Sequence, residues 1–389
     1  MQAFLNDPAS NLADPPKCDG NSVLAGAARV ADLAASLAPA RDADGAFPAE
    51  EVRALADAGL LALPLPPTLG GYGAGGEALG SLLLLDVLRR IGRGSLPLGR
   101  LYEGHVNAWR LILRHGGPAR ARRLAADARA GMLFAVWNTE GSDPLRLLPE
   151  GDCYRLEGAK TFASGAGDVY RPLVTARLPD GSVRMLVVRF DAPHDDRVDL
   201  SGWRVSGMRA SRSGRLDFTG LRVATDDLIG DPGDYAREPD FSAGAWRFAA
   251  VHLGGVEALA EAVRNHLRRT GRGEDPHQLA RLGRMATATE TARLWLNEAA
   301  RLAAIDAVAP DRLIARVHLA RLAVERAALD TLELAHRAVG VQAFMASSPL
   351  DRLTRDLQLY LRQPAPDRAL ATAAAFVLNA DEPLGDLWC

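Results

Sequence analysis

The sequence predicts an α+β chain, mainly α, in three parts. These are an N-terminal helical domain, a central β-barrel or β-sandwich domain and a C-terminal four-helix bundle. Three observations predict this. Apolar residues recur at helical spacing before about residue 130 and again after about residue 239, while the stretch between them breaks into short β-type runs separated by Gly, Asp and Pro. A third is size: 389 residues, 48% of them apolar, exceed one ordinary core and leave ample surface to bury. The boundaries read as a loose polar tail over 1–21, then domains over 22–130, 131–238 and 239–389.

The N-terminal part is built from amphipathic segments. Val23, Ala27, Val30, Ala31 and Leu33 share one helical face, as do Val52, Leu55 and Ala56. Gly59 ends the second segment, and the Pro- and Gly-rich LPLPPTLGGYGAGG follows as a long loop. Further helices are expected over about Glu77–Ile91 and Tyr102–Arg114, the latter closed by Gly116, Gly117 and Pro118.

From Gly131 the runs MLFAVW, CYRLEG, VYRPLVTARL, RMLVVRF, VDLSGWRV and GRLDFTGLRV read as strands. Leu216 and Phe218 alternate with Arg215, Asp217 and Thr219, the mark of a half-buried strand. This part ends near Gly230–Gly233. Long Ala/Leu-rich helices then span Ala245–Thr270, Pro276–Ala304, Asp311–Val339 and Leu350–Leu361, with a shorter one over Asp367–Leu378.

A formal net charge of −2 provides no field for nucleic acid or an anionic membrane surface. Cys18, Cys153 and Cys389 are too far apart for metal spacing, and so sparse an odd count fits a reducing cytoplasm, the expected location. No apolar run approaches the roughly 20 residues that cross a bilayer. The first 21 residues lack the basic-then-apolar order of a secretory signal.

Six stretches carry chemistry. The first is Phe47-Pro48, Leu55, Gly59-Leu60, Pro64, Pro67 and Gly70-Gly71-Tyr72-Gly73, continued by Leu88–Ser95 and His115-Gly116. The second is Phe134–Asp143, with Thr139-Glu140 before Gly141-Ser142-Asp143. The third is Gly158–Ala166, with Lys160, Phe162 and Ser164. The fourth, Gly207-Met208-Arg209-Ala210-Ser211, joins an arginine to hydroxyls and suits an anionic phosphate or ribose. The fifth is Arg268-Arg269-Thr270-Gly271 with Gln278. The sixth is Val339–Phe344 followed by Arg352 and Arg355-Asp356. Taken singly, each also reads as an ordinary loop, cap or solvated helix end.

In this order and spacing the six resemble the acyl-CoA dehydrogenase family along nearly the whole chain. The resemblance implies an FAD-dependent oxidoreductase acting on an acyl thioester, with acyl-CoA as a candidate substrate. It implies flavin contacts from Thr139, Ser142, Phe162 and Ser164, Phe162 standing where the family has tryptophan. It also implies pyrophosphate contacts from Arg268, Arg269, Gln278 and Gly340. Because the arginine turn reaches a flavin held by a neighbouring subunit in the family, a homodimer or homotetramer is implied. Arg209 and Ser211 fall on the family's glycine-x-arginine-x-serine segment. The chain departs from the pattern where Val341 and Ala343 replace two glycines, and where a phenylalanine is missing after Arg269.

The sharpest departure is at the catalytic base. The family's register from Arg355-Asp356 puts its glutamate at 364, and this chain has Pro364 there. Proline has no acid–base group, so proton abstraction cannot run from this position. The region that supplies the base in some relatives offers Ala243, Gly244, Ala245 and Trp246, with Glu257 further along. Asp367 is the nearest acid; its Pro-Asp-Arg context reads chiefly as a helix N-cap and only secondarily as a base. Three functions therefore stand open: a dehydrogenase with a relocated base, an oxygen-dependent flavin monooxygenase or oxidase, and a non-catalytic binding or assembly subunit.

Overall fold

The computed structural model describes residues 20–305 and 307–388. The expected polar tail lies outside the described residues except for Gly20 and Asn21, which already belong to the first helix. Among the described residues, five α-helices form the N-terminal part: α1 (Gly20–Asp44), α2 (Ala49–Asp57), α3 (Ala78–Gly94), α4 (Leu96–His115) and α5 (Gly117–Arg129). By length and composition alone α1 is apolar enough to cross a membrane. In the fold, its Val23, Ala27, Val30, Ala34 and Ala38 are buried, and it packs on α3. Helix α4 ends at His115, where Gly116-Gly117-Pro118 is expected to close it; the same residues also start α5, with Pro118 in its first turn, where its missing N–H costs nothing.

Ten strands follow: β1 (Phe134–Trp137), β2 (Arg146–Glu150), β3 (Cys153–Glu157), β4 (Ala159–Ala163), β5 (Arg171–Arg177), β6 (Val183–Val187), β7 (Val198–Asp199), β8 (Gly214–Asp217), β9 (Arg222–Ala224) and β10 (Leu228–Ile229). They make a seven-stranded mixed sheet, ordered β10-β6-β5-β2-β3-β9 with β1 on β5, and a three-stranded sheet ordered β4-β8-β7. Pairing is antiparallel except for β1 and β2 against β5. β2 escapes a pattern reading because Pro149 sits inside it and cannot donate to a ladder. The expected strand VDLSGWRV pairs only over Val198–Asp199; from Leu200 the backbone leaves the sheet.

The remaining helices are α6 (Asp240–Ala243), α7 (Trp246–Arg269), α8 (Pro276–Leu302), α9 (Pro310–Val339), α10 (Pro349–Tyr360) and α11 (Pro366–Asn379). Helices α7, α8 and α9 pack on one another, and α11 packs on α9. The N-terminal part is joined to them chiefly through α3 against α7. There Arg89 Nη1 donates to both carboxylate oxygens of Glu257 at 2.8 and 2.7 Å, while Nε and Nη2 donate to Asp86. One apolar core runs through the helical and β parts and encloses Tyr102, Trp137, Trp246 and Tyr360.

Candidate functional site

The second, third and fourth motifs converge. Thr161 N–H donates to Thr139 O at 3.0 Å, which lays the loop after β1 along β4. Beneath it lies Lys160, fully buried. Its ammonium donates to Asn138 O at 3.1 Å and to Thr175 Oγ1 at 3.0 Å, and pairs with Glu140 at 3.4 Å. Burial pushes its pKa down to about 8, and the nearby Glu140 carboxylate opposes that shift. Trp137 Nε1 donates to Ser164 O at 3.0 Å. The Ser164 hydroxyl meets Ser213 Oγ at 2.9 Å, Ser213 meets Ser211 Oγ at 2.8 Å, and Ser211 donates to Met208 O at 2.8 Å.

That hydroxyl chain separates the candidate ligands. Thr139 and Ser142 are exposed, whereas Ser164 and Ser211 are buried with their hydroxyls engaged inside the protein. Phe162 stands out from β4. It is 62% exposed although it is a large apolar residue, and its φ is +51°. The left-handed region costs an L-residue about 1–2 kcal/mol, and such strain concentrates at functional sites. Its ring sits edge-on to Trp203, with centroids 6.3 Å apart.

Beside this aromatic pair an open groove of about 580 Å³ is lined by Trp203, Arg204, Val205, Ser206, Arg209 and Arg355. Arg355 is held in place by Asp42 at 2.7 Å, by Asp351 at 2.9 Å and by Ser206 O. Those partners raise its pKa further above the ordinary arginine value. The guanidinium groups of Arg204 and Arg209 have no ion pair or hydrogen bond among the described residues. Trp203 Nε1 is buried without an acceptor. Two unpaired guanidinium groups, an exposed aromatic ring and a free indole N–H form a donor set for a planar aromatic ligand carrying a phosphate. The groove is shaped from below by Gly207, where a Cβ would lie 2.1 Å from Arg355 O, and by Asp356, which accepts from Met208 N–H. Trp203 and Arg204 escape the sequence reading because VDLSGWRV reads as a strand; an aromatic directly before an arginine and a glycine-x-arginine turn is the available signal.

The fifth and sixth motifs form a second group. Gln278 is buried, its amide among Arg272, Arg281 and the Ala338 carbonyl, to which Arg272 also donates at 3.2 Å. Gly340 follows with φ +74°, and a Cβ there would meet nothing. Val341 is exposed and Ala343 buried. Arg268 and Arg269, at the end of α7, are both exposed.

The turn between α10 and α11 contains Pro364. Arg321, buried on α9, donates to Pro364 O at 2.8 Å and to Gln363 O, with its guanidinium 5.0 Å from the Phe248 ring centroid. The N-cap of α11 is Ala365, in the left-handed region, and no side chain caps it. Asp367 therefore lies in the first turn, exposed, where it favours the helix dipole instead of capping. The other acids are committed: Glu257 to Arg89, Glu103 to Arg100 at 2.7 Å and to Asn107, Glu325 to Arg362 at 2.9 Å, and Asp356 to Met208 N–H.

Comparison with known proteins bears on this arrangement. Residues 26–131 match the acyl-CoA dehydrogenase N-terminal domain and residues 234–361 the acyl-CoA dehydrogenase C-terminal domain. The chain is 24% identical over 388 residues to a dibenzothiophene monooxygenase of Mycolicibacterium goodii, covering 88% of this chain and 90% of that one. It is 27% identical over 377 residues to a putative acyl-CoA dehydrogenase, YdbM, of Bacillus subtilis (strain 168), covering 88% and 92%. The FMN-bound crystal structure of the dibenzothiophene monooxygenase TdsC from a Paenibacillus species superposes with a TM-score of 0.81 at 23% identity, over 94% of this chain and 100% of that one. At that identity the superposition speaks for the fold. With both helical parts matched by the models of one family and the fold shared end to end, the chain belongs to the acyl-CoA dehydrogenase family.

Proposed function

We propose that this chain is a flavin-dependent monooxygenase that uses reduced FMN and dioxygen on a small organic substrate, and that it does not dehydrogenate acyl-CoA. One observation carries the reading. The turn that should present a carboxylate presents Pro364, its carbonyls are held by the Arg321 cation, and the acids named above are either committed elsewhere or, like Asp367, exposed at a helix start. A dehydrogenase requires an α-proton base; oxygen insertion does not. FMN suits the residues better than FAD. It needs one phosphate contact, which the unpaired Arg204 and Arg209 can supply. The turn at Gly340 keeps one of the family's three glycines, so backbone N–H groups approach a pyrophosphate less readily. The FMN named with TdsC and the oxygenase names among the relatives support the same choice.

Bound in reduced form, the flavin would supply the two electrons that let one oxygen atom of dioxygen enter the substrate while the other leaves as water. The chain's own contribution is positional. Phe162 and Trp203 would flank the ring, Thr139 and Ser142 would reach its edge, and Arg209 with Arg204 would hold the phosphate. Lys160 fixes the loop that carries Thr139. We further propose a homodimer or homotetramer, supported by Arg268 and Arg269 standing exposed and by the exposed Val341, Phe344 and Met345.

The test is reconstitution of the full chain with FMN and, separately, FAD, followed by reduction and mixing with air-saturated buffer. FMN should be retained more tightly than FAD, and bound reduced flavin should reoxidise with kinetics unlike those of free flavin. Loss of both flavins on gel filtration, or reoxidation indistinguishable from free flavin, sinks the proposal.

A further inference from the structure

The wall of the groove at Arg355 is built unlike the wall at Arg204 and Arg209. Arg355, on α10, donates through Nη1 and Nη2 to the two carboxylate oxygens of Asp42 at 3.2 and 2.7 Å, and through Nε to Asp351 at 2.9 Å. Nη1 also donates to Ser206 O. All but one of the guanidinium hydrogens are therefore taken up inside the protein. Two carboxylates face this single cation. The neighbouring arginines have carboxylates of their own: Arg41 pairs with Glu51 at 3.1 Å and Arg352 with Asp356 at 3.6 Å. The Arg355 wall thus carries an arginine and is formally negative.

Arg355 is nevertheless placed where a ligand in the groove meets it. Its side chain is 26% exposed, and it lines the same groove as Arg204 and Arg209. Arg209 stands over the same end of α1: a Cβ on Gly45, three residues after Asp42, would lie 4.0 Å from its Nη2. One carboxylate suffices to brace α10 against α1, and Asp42 does so. Asp351 lies one turn earlier on α10 itself, so its pair with Arg355 joins no second element and adds only negative charge. An anion approaching a guanidinium held in this way is repelled by both carboxylates and must displace bonds already made. Arg204 and Arg209 present no such obstacle.

We propose that Asp42 and Asp351 are positioning residues that withhold Arg355 from the ligand, so that the groove recognises a phosphate through Arg204 and Arg209 alone. Removing either carboxylate releases a third guanidinium into the groove and tightens phosphate binding, the opposite of what the loss of a structural contact does. The inference rests on the reading of this groove as the flavin phosphate site. A phosphate that carries no flavin tests it separately.

The experiment is calorimetric titration of the full chain, and of its Asp42→Asn and Asp351→Asn variants, with FMN, riboflavin and AMP, the last an aromatic phosphate without flavin. Each substitution should tighten FMN and AMP about tenfold, the worth of one hydrogen bond to a charged group, and leave riboflavin unchanged. The unfolding midpoint of Asp42→Asn should fall, because the brace between α1 and α10 is lost, while its phosphate affinity rises. In an Arg355→Gln background neither substitution should bring a gain. The proposal is overturned if either folded variant binds phosphate no more tightly than wild type, if riboflavin gains as much, or if the gain survives in Arg355→Gln. Should Asp42→Asn fail to fold, Asp351→Asn decides alone. Tightened AMP in protein that binds neither FMN nor riboflavin would uphold this inference and overturn the flavin reading alone. Binding of no phosphate by any of these chains overturns both.

Discussion

Gly207→Ala probes the joint between the β part and the helices. The φ of Gly207 is not positive, so alanine's backbone preferences are satisfied and the effect is steric. An added Cβ would lie 2.1 Å from Arg355 O, 2.2 Å from Arg355 C and 2.6 Å from Asp356 N, all backbone atoms of α10. Relief requires the segment to move by about 1 Å, since carbon and oxygen need a little over 3 Å of separation. Overpacking of this kind costs about 1–3 kcal/mol, and rigid backbone on the far side places this case at the upper end. The movement also pulls Met208 N–H from Asp356 and shifts Ser206 and Arg209 in the groove wall. Gly202→Ala is the control: the same segment, no positive φ, and nothing within reach of a Cβ. It should be neutral or stabilising by about 0.4–1 kcal/mol. Thermal unfolding and FMN titration of both variants provide the assay. Equal midpoints for Gly207→Ala and Gly202→Ala, with equal FMN affinity, would refute the account of the joint.

Burial pushes the Asp356 carboxyl up to about 6, against the Met208 N–H and Arg352, which favour its charged form. The folded chain therefore keeps a proton that the unfolded chain, with a value near 3.8, has lost; the stability from this group is full below that value and disappears as pH rises through 6. Wild type should lose about 2 kcal/mol relative to Asp356→Asn between pH 4 and pH 7 in denaturant titrations; a constant difference would count against this. Lys160→Met should cost about 1–3 kcal/mol by removing the donor to the buried Thr175 Oγ1 as well as to Asn138 O, and should speed amide exchange over 138–143; unchanged exchange speaks against the anchoring role. Arg209→Ala should weaken FMN about tenfold or more and leave riboflavin unaffected; equal losses for both ligands would remove Arg209 from the phosphate.

The sequence was most informative where periodicity is long. The helices α7 to α11 lie within a few residues of their expected ends because Ala/Leu-rich stretches leave little competition to the helix. It was least informative where one residue breaks a local rule. Pro149 hides β2, and Gly116-Gly117-Pro118 ends α4 yet also starts α5. At the site, motif order brought Thr139, Phe162, Ser164, Arg209 and Ser211 into one region. It could not tell hydroxyls facing outward from those tied into the Ser164–Ser213–Ser211 chain, because that depends on burial. Asp367 looked like a cap because its context was right; the backbone at Ala365 enters the helix without one. Arg321 carried no local signal: a buried cation on α9 acquires meaning only when the turn at Pro364 folds against it.

The central claim is that this turn cannot take an α-proton from an acyl thioester. The most direct measurement is anaerobic titration of the FMN-reconstituted chain with short-, medium- and long-chain acyl-CoA while the visible flavin band is followed. The account predicts that the oxidised band persists with every acyl-CoA and that no enoyl product forms. Bleaching of the band by any of them, with the matching enoyl-CoA, would contradict it.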